Sequence, residues 1–98
     1  MSDLFGYTEA RKFTTYNDPG HGWLKVTLAD MREAGLSPAD FTSYSYMDGE
    51  KYFLEEDCDA GKFLNAFEQK VGPFELIDKY VPGNSSIRRL HNLKGGTA

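Results

Sequence analysis

The sequence contains a single cysteine, Cys58, in 98 residues. One cysteine cannot form a disulfide within the chain, which favours a reducing compartment over secretion. No stretch approaches the roughly 18 consecutive apolar residues of a membrane-spanning helix. The first ten residues also lack the basic region and apolar run of a secretory signal. These absences predict a soluble cytoplasmic protein without a membrane partner.

Basic residues are in deficit, since 11 lysines and arginines face 15 acids and the net charge is −4. Nonspecific nucleic-acid binding depends on basic side chains that displace counterions, so we expect none here. The charge is also unevenly distributed. Six acids lie between Asp48 and Asp59, whereas every charged side chain from Lys79 onward is basic. The C-terminal segment is therefore the part of the chain that would attract an anion.

Aromatic residues are plentiful, with seven Phe, six Tyr and one Trp. They supply enough apolar surface for one core in a chain of this length, without cross-links. We therefore expect a single domain over residues 11–90, flanked by flexible segments at 1–10 and 91–98.

The spacing of apolar residues predicts five strands and two helices. Strands are expected at 11–17, 23–27, 41–47, 50–54 and 74–81, with a further short edge strand at 85–90. The first helix follows a Thr27 and Asp30 capping box and ends at Gly35. The second carries one apolar stripe, made of Phe63, Leu64, Phe67 and Val71. The expected fold is a small α+β domain with an antiparallel sheet of about five strands, two helices on one face, and the order ββαββαβ.

The strongest local signal is Asp48-Gly49, with alternating aromatic and polar residues on both sides. Gly accepts the positive φ that a tight hairpin demands. The dipeptide predicts a two-residue type I′ turn between the third and fourth strands.

The hairpin runs into the acidic segment Glu55-Glu56-Asp57-Cys58-Asp59. Clustered carboxylates suit Mg²⁺ or Ca²⁺ and a thiol suits Zn²⁺, but neither a zinc spacing nor a calcium loop is present. We favour a helix cap supplied by Asp57 or Asp59, and predict no metal and no cofactor. The same acids should raise the pKa of Cys58.

Two further segments contain candidate ligand-binding residues. His21, between two glycines and close to Asp18 and Trp23, suits a general base, a grip on a base ring, or a plain turn. Near the C-terminus, Gly83 and Asn84 precede a set of small hydroxyls and paired arginines that could hold a phosphate, namely Ser85, Ser86, Arg88 and Arg89. The rings of Trp23, Tyr44 and Tyr46 could stack a nucleobase beside them.

Several short sequence motifs resemble those of a group of small uncharacterised proteins of phages and prophages. They are His21-Gly22-Trp23-Leu24, Ser43-Tyr44-Ser45-Tyr46, the acidic segment preceded by Leu54, and Phe63-Leu64, spanning about residues 16–67. The resemblance implies a phage accessory protein in the host cytoplasm, of the kind that inhibits or sequesters a component of host defence, and it would also fit a structural or regulatory role during infection. It implies no catalytic residues.

Taken together, these features favour a non-enzymatic binding protein that captures a host protein or a small anionic nucleotide. The predicted ligand-binding residues are His21, Trp23, Tyr44, Tyr46, Ser85, Ser86, Arg88 and Arg89. No nucleophile-and-base motif is present, which leaves an enzyme as the minority interpretation. One alternative is a metal-assisted nucleotide hydrolase that uses the acidic segment. Another is a homo-oligomeric structural module.

Overall fold

The computed structural model describes residues 10–42 and 44–80, and the backbone of residues 91–92. Its elements run in the order β1 (Arg11–Asn17), β2 (Gly22–Thr27), α1 (Leu28–Glu33), a 3₁₀ turn (Pro38–Asp40), β3 (Tyr46–Asp48), β4 (Lys51–Glu55), a π-helical turn (Glu56–Ala60), α2 (Gly61–Lys70), β5 (Phe74–Tyr80) and β6 (His91–Asn92). The predicted small α+β domain with two helices is confirmed.

The strands form one mixed sheet in the order β5-β1-β2-β4-β3-β6. All neighbours are antiparallel except β5, which runs parallel to β1. The sequence had led us to expect a wholly antiparallel sheet. The observed sheet is mixed, because β5 runs parallel to β1. After β4 the chain passes through α2, which crosses one face of the sheet and returns the chain to the end of the sheet where β4 begins. The next strand must then run in the direction of β4 and β1.

The predicted third strand is shorter than expected, because only Tyr46–Asp48 of residues 41–47 form β3. Thr42 and Ser45 donate hydrogen bonds to the carboxylate of Asp59, and this holds the preceding segment as a loop. At the other end of the chain, His91 and Asn92 pair with β3, although the sequence placed them in a flexible tail. Residues 1–9 and 93–98 of the segments predicted to be flexible, and the edge strand predicted at 85–90, lie outside the described residues.

The hairpin between β3 and β4 is present, but its turn is displaced by one residue from the prediction. Asp48 pairs with Lys51, so the two loop residues are Gly49 and Glu50. Gly49 has φ 65° and no other described residue near the turn has a positive φ. One positive φ at the first loop position is typical of a type II′ turn, not of type I′.

Local signals at the first helix are confirmed. The backbone N–H of Asp30 donates to the Thr27 hydroxyl at 3.1 Å, and the N–H of Thr27 donates to the Asp30 carboxylate at 2.9 Å. Gly35, just past the helix, has φ 79°, the left-handed conformation of a helix C-terminus. Ser37 and Asp40 form a similar box around the 3₁₀ turn.

The core lies between the helices and one face of the sheet. Phe13 of β1 meets the rings of Phe63 and Phe67 of α2 edge-on, with centroids 5.3 and 5.0 Å apart. Other fully buried apolar side chains come from β2, β4 and α1 and from the loop before β3, among them Leu24, Val26, Leu54, Met31 and Phe41. Of the predicted stripe on α2, only Val71 is exposed. Both helices contribute to this one core, so they cover the same face, as expected.

No helix in the described part of the chain is long and apolar enough to cross a bilayer.

Candidate functional site

The sheet face opposite the helices carries most of the aromatic residues that the sequence singled out. Side chains alternate along each strand, and the cross-strand register places Tyr16 beside Trp23, and Lys25 beside Phe53. Phe53 in turn pairs with Tyr46. We call this surface, defined by Tyr16, Trp23, Lys25, Tyr46 and Phe53, the aromatic face.

The rings of the aromatic face touch one another across strands. Tyr16 and Phe53 have centroids 6.1 Å apart, and Trp23 and Tyr46 have centroids 6.3 Å apart, both edge-on. His21 extends the set, with its ring 6.0 Å from that of Trp23. The structure therefore brings together three residues predicted from the sequence, namely His21, Trp23 and Tyr46.

Trp23 is 3% exposed and does not offer a free ring face, contrary to its predicted role in stacking. It supports Tyr46 and His21 from within the sheet. The partly exposed rings are those of Tyr16, Tyr46 and Phe53. Tyr16 and Phe53 were not singled out from the sequence, although their cross-strand positions follow from strand alternation once the register is known.

Tyr44 lies apart from this cluster. It is 65% exposed, in the loop before β3, and makes no ring contact with another residue of the described chain. Ser85, Ser86, Arg88 and Arg89 lie outside the described residues.

His21 is positioned by the turn between β1 and β2. The buried carboxylate of Asp18 accepts hydrogen bonds from the backbone N–H groups of Gly20 and His21, both at 2.9 Å. The half-exposed imidazole then places its Nδ1 3.7 Å from a carboxylate oxygen of Glu55. His21 thus has a charged neighbour, but among the described residues no serine or cysteine bonds to its imidazole as a nucleophile would.

The acidic segment stabilises the fold through different residues from those predicted. The cap comes from Glu55, whose carboxylate accepts the backbone N–H groups of Asp57 and Cys58 at 2.9 and 3.0 Å. Glu55 ends β4, so its side chain is already aimed at the first turn of the π-helical segment. The sequence did not reveal this cap, because Glu55 lies at the junction of a strand and a helix, where the patterns of the two elements overlap.

Asp59 is 1% exposed and is not a helix cap. Its carboxylate accepts the N–H of Thr42 at 3.0 Å, the Thr42 hydroxyl at 2.8 Å and the Ser45 hydroxyl. Ser45 in turn accepts the N–H of Glu55 at 2.9 Å. A buried carboxylate needs such partners, and here they join the loop before β3 to the π-helical turn that precedes α2.

The remaining acids are exposed, and no group of three or more His, Cys, Asp or Glu side chains within the described residues is placed to hold a metal ion. Cys58 is exposed, yet the pKa of its thiol lies above its usual value. Local desolvation is the largest cause, followed by contact with the Glu55 carboxylate and the charges of Asp59 and Asp57. The direction is the one predicted, and it disfavours a reactive thiolate.

A concavity lies on the helix side of the sheet, between β1, β5 and the start of α2. It has a volume of about 230 Å³ and an apolar wall that includes Leu64 and Leu76. Its charged lining residues in the described chain are Glu56 and Asp78, with no basic side chain. The cleft is therefore electrostatically unsuited to an anion.

Comparison with protein-family models, with curated proteins and with solved structures found no match to this chain.

Proposed function

We propose that this chain is a non-enzymatic binding protein whose aromatic face holds a small anionic nucleotide. The observation that carries the proposal is the group of three partly exposed rings, Tyr16, Tyr46 and Phe53, gathered around Lys25 on the face away from the helices. Partly exposed rings on a sheet surface are a common platform for bases, because every base has a face that can stack.

The lysine at the centre of this face supports an anionic ligand. Strand alternation puts four lysines on the same side of the sheet as the rings, namely Lys12, Lys25, Lys51 and Lys79, together with three acids, Asp48, Glu55 and Glu75. Lys25 is the central one, since it pairs with Phe53 on one side and with Thr14 on the other. The helix-side cleft carries Glu56 and Asp78 instead. Lys25 has no acid as a direct cross-strand neighbour, so it would attract a phosphate held beside the rings, whereas the acids of the cleft would repel one.

Two of the acids that a metal-assisted hydrolase could use, Glu55 and Asp59, are already used by the fold. Asp59 is bonded to Thr42 and Ser45, and Glu55 caps the π-helical turn. Reassigning either to a metal would leave buried or terminal backbone groups without partners. This favours binding without turnover.

The resemblance to phage and prophage proteins supplies a context for such binding. In a phage protein the ligand would belong to the host, and capture of a host signalling nucleotide would be a counter-defence activity. Capture of a host protein through the same rings is the alternative outcome of the experiment below.

Calorimetry against linear and cyclic nucleotides tests the proposal. Phe53→Ala should weaken binding by about 1–3 kcal/mol at every salt concentration, because it removes a stacking ring. Lys25→Gln should weaken binding most at low salt and lower the salt dependence by about one counterion. The nucleotide should be recovered unchanged after incubation.

Tyr80→Ala is the matched control, because Tyr80 is 66% exposed and lies in the same sheet but on the helix side. It should leave binding unchanged. Failure of every nucleotide to bind, or an equal loss in Phe53→Ala and Tyr80→Ala, would reject the nucleotide. If a host protein is then retained in a way that depends on Phe53, the rings bind a protein partner. Hydrolysis of the nucleotide would reject the hypothesis of a non-enzymatic protein.

A further inference from the structure

Strand β5 forms one end of the sheet, and its outer edge is open within the part of the chain that the structure describes. It is seven residues long and pairs only with β1 among the described strands. Every residue after Phe74 is exposed, including Leu76 and Ile77 at 44% each and Tyr80 at 66%. Exposed edges of this kind invite pairing with another strand, and proteins that stay monomeric usually protect them with charges, proline, a bulge or a covering segment. The charges of β5 are of both signs, so they can also pair with those of a second copy.

The backbone groups at this edge are available in a definite pattern. Arg11 lies opposite Phe74, and its N–H donates to the Pro73 carbonyl at 3.3 Å. In a parallel ladder, alternate residues of a strand turn their N–H and C=O groups to opposite sides. The even-numbered residues of β5 therefore turn theirs to the open edge.

The sequence of β5, Phe-Glu-Leu-Ile-Asp-Lys-Tyr, is complementary to itself when reversed about its central residue. In an antiparallel pair centred on Ile77, Glu75 lies opposite Lys79 of the second copy, and Ile77 lies opposite its own equivalent. The two-fold axis repeats the Glu–Lys pair on the other side. On the opposite face, Phe74 meets Tyr80 of the second copy, and Leu76 meets its Asp78.

We propose that two copies of this chain form a two-fold symmetric dimer by antiparallel pairing of their β5 strands about Ile77. The backbone phase agrees with this register, since the even-numbered residues of each strand would exchange hydrogen bonds. Glu75, Ile77 and Lys79 would occupy the positions where facing side chains come closest.

Neighbouring registers are less favourable. A shift of two residues in one direction places Glu75 opposite Ile77, and the same shift in the other direction places Asp78 opposite its own equivalent. Like charges directly opposite each other destabilise a sheet pair. The register centred on Ile77 pairs both charged ends of the strand with opposite charges.

The dimer would join two mixed sheets into one continuous sheet and extend the aromatic faces side by side, because Glu75, Ile77 and Lys79 lie on that side. A single strand pair buries less surface than the roughly 1,200–2,000 Å² of a standard interface. The association is therefore reversible and concentration-dependent. It is independent of whether the aromatic face binds a nucleotide.

Sedimentation equilibrium of the full chain over a concentration series, up to about 1 mM, measures the association. Glu75→Lys and Lys79→Glu each place like charges opposite each other twice, and each should weaken dimerisation by roughly tenfold. The double variant, Glu75→Lys with Lys79→Glu, restores the opposite charges and should recover most of the lost affinity.

Glu68→Lys is the matched control, since Glu68 is exposed on α2 and the change alters net charge by the same amount as Glu75→Lys. It should leave dimerisation near that of the unaltered chain. Urea melts of all variants show whether the charge beside Lys12, the β1 neighbour of Glu75, has disturbed the fold.

A covalent trap tests the register itself. In a Cys58→Ser background, Ile77→Cys should form a disulfide-linked dimer with oxidised glutathione as the oxidant, because the two positions face each other across the two-fold axis. Tyr80→Cys should not, since Tyr80 faces Phe74. A chain that stays monomeric throughout, a dimer unaffected by either single charge change, or a double variant weaker than both single ones would overturn the proposal.

Discussion

The two faces of the sheet use aromatic residues in opposite ways. On the helix-covered face, Phe13 meets Phe63 and Phe67 edge-on, and all three are at most 4% exposed. On the aromatic face, Tyr16 and Phe53 make a similar edge contact at 6.1 Å, yet both stay partly exposed. Ring contact alone therefore does not distinguish a core from a candidate site, whereas the presence of a covering layer does.

The largest expected difference between the faces is in stability. Phe63→Ala should lower the free energy of unfolding by about 3–5 kcal/mol, because it removes a fully buried ring and leaves a cavity. Phe53→Ala should cost about 1 kcal/mol or less, the scale of a cross-strand pair. Urea denaturation of both variants makes the comparison. Equal losses would mean that the aromatic face is a second core.

The hydrogen bonds of the buried Asp59 carboxylate should have the next largest effect on the free energy of unfolding. Asp59→Ala removes the acceptor of the buried Ser45 and the partly buried Thr42 and leaves their donors without this partner, so it should cost about 2–3 kcal/mol. Asp57→Ala is the matched control, since that carboxylate is exposed and should matter little. Chemical denaturation measures both, and similar midpoints would show that the Asp59 bonds are of no consequence to stability.

The hairpin turn that sets the register of the aromatic face gives a smaller effect. Gly49→Val forces a β-branched residue to φ 65° in open space, so backbone strain alone should cost about 1–2 kcal/mol. Glu50→Val, at the second loop position and without a positive φ, should be close to neutral. Thermal melts of the pair distinguish the type II′ turn from the type I′ turn expected from the sequence, in which both loop positions have positive φ.

The smallest effect on stability is expected for the ion pair between Arg11 and Glu33, at the edge of the helix-covered face. Arg11 bonds Glu33 at 2.9 Å and lies over the Phe67 ring. The hydrogen bond from Arg11 is the main cause that lowers the pKa of Glu33. Stability from this pair is therefore present above the ordinary pKa of 4.5 and is lost as the pH falls through the lowered value.

Both partners of that pair are 39–46% exposed, so solvent screening limits its contribution to about 0–1 kcal/mol. Glu33→Gln should reduce the loss of stability below pH 5 by that amount, whereas Glu68→Gln on α2 should not. Urea melts at pH 3 and pH 7 measure it. An unchanged pH dependence in Glu33→Gln would show that the ion pair does not act in solution.

Local signals in the sequence predicted the elements well because each depends on neighbours within a few residues. The Thr27 and Asp30 capping box, the positive φ of Gly35 and the buried stripe of α2 are all of this kind. The candidate site was predicted less completely. His21, Trp23 and Tyr46 do come together, but Trp23 is buried, Tyr44 lies apart, and Tyr16 and Phe53 were overlooked.

The sequence by itself determined the order of most strands and of both helices, where the first helix begins and ends, and that one core would suffice, because capping and periodicity are local properties. Only the tertiary structure decided that β5 runs parallel to β1, that Asp59 is buried against Thr42 and Ser45, and which rings share the aromatic face. These features depend on register and on contacts between residues far apart in the chain. A strand's alternation shows which side chains share a face, but it carries no information about the strand that will lie beside it.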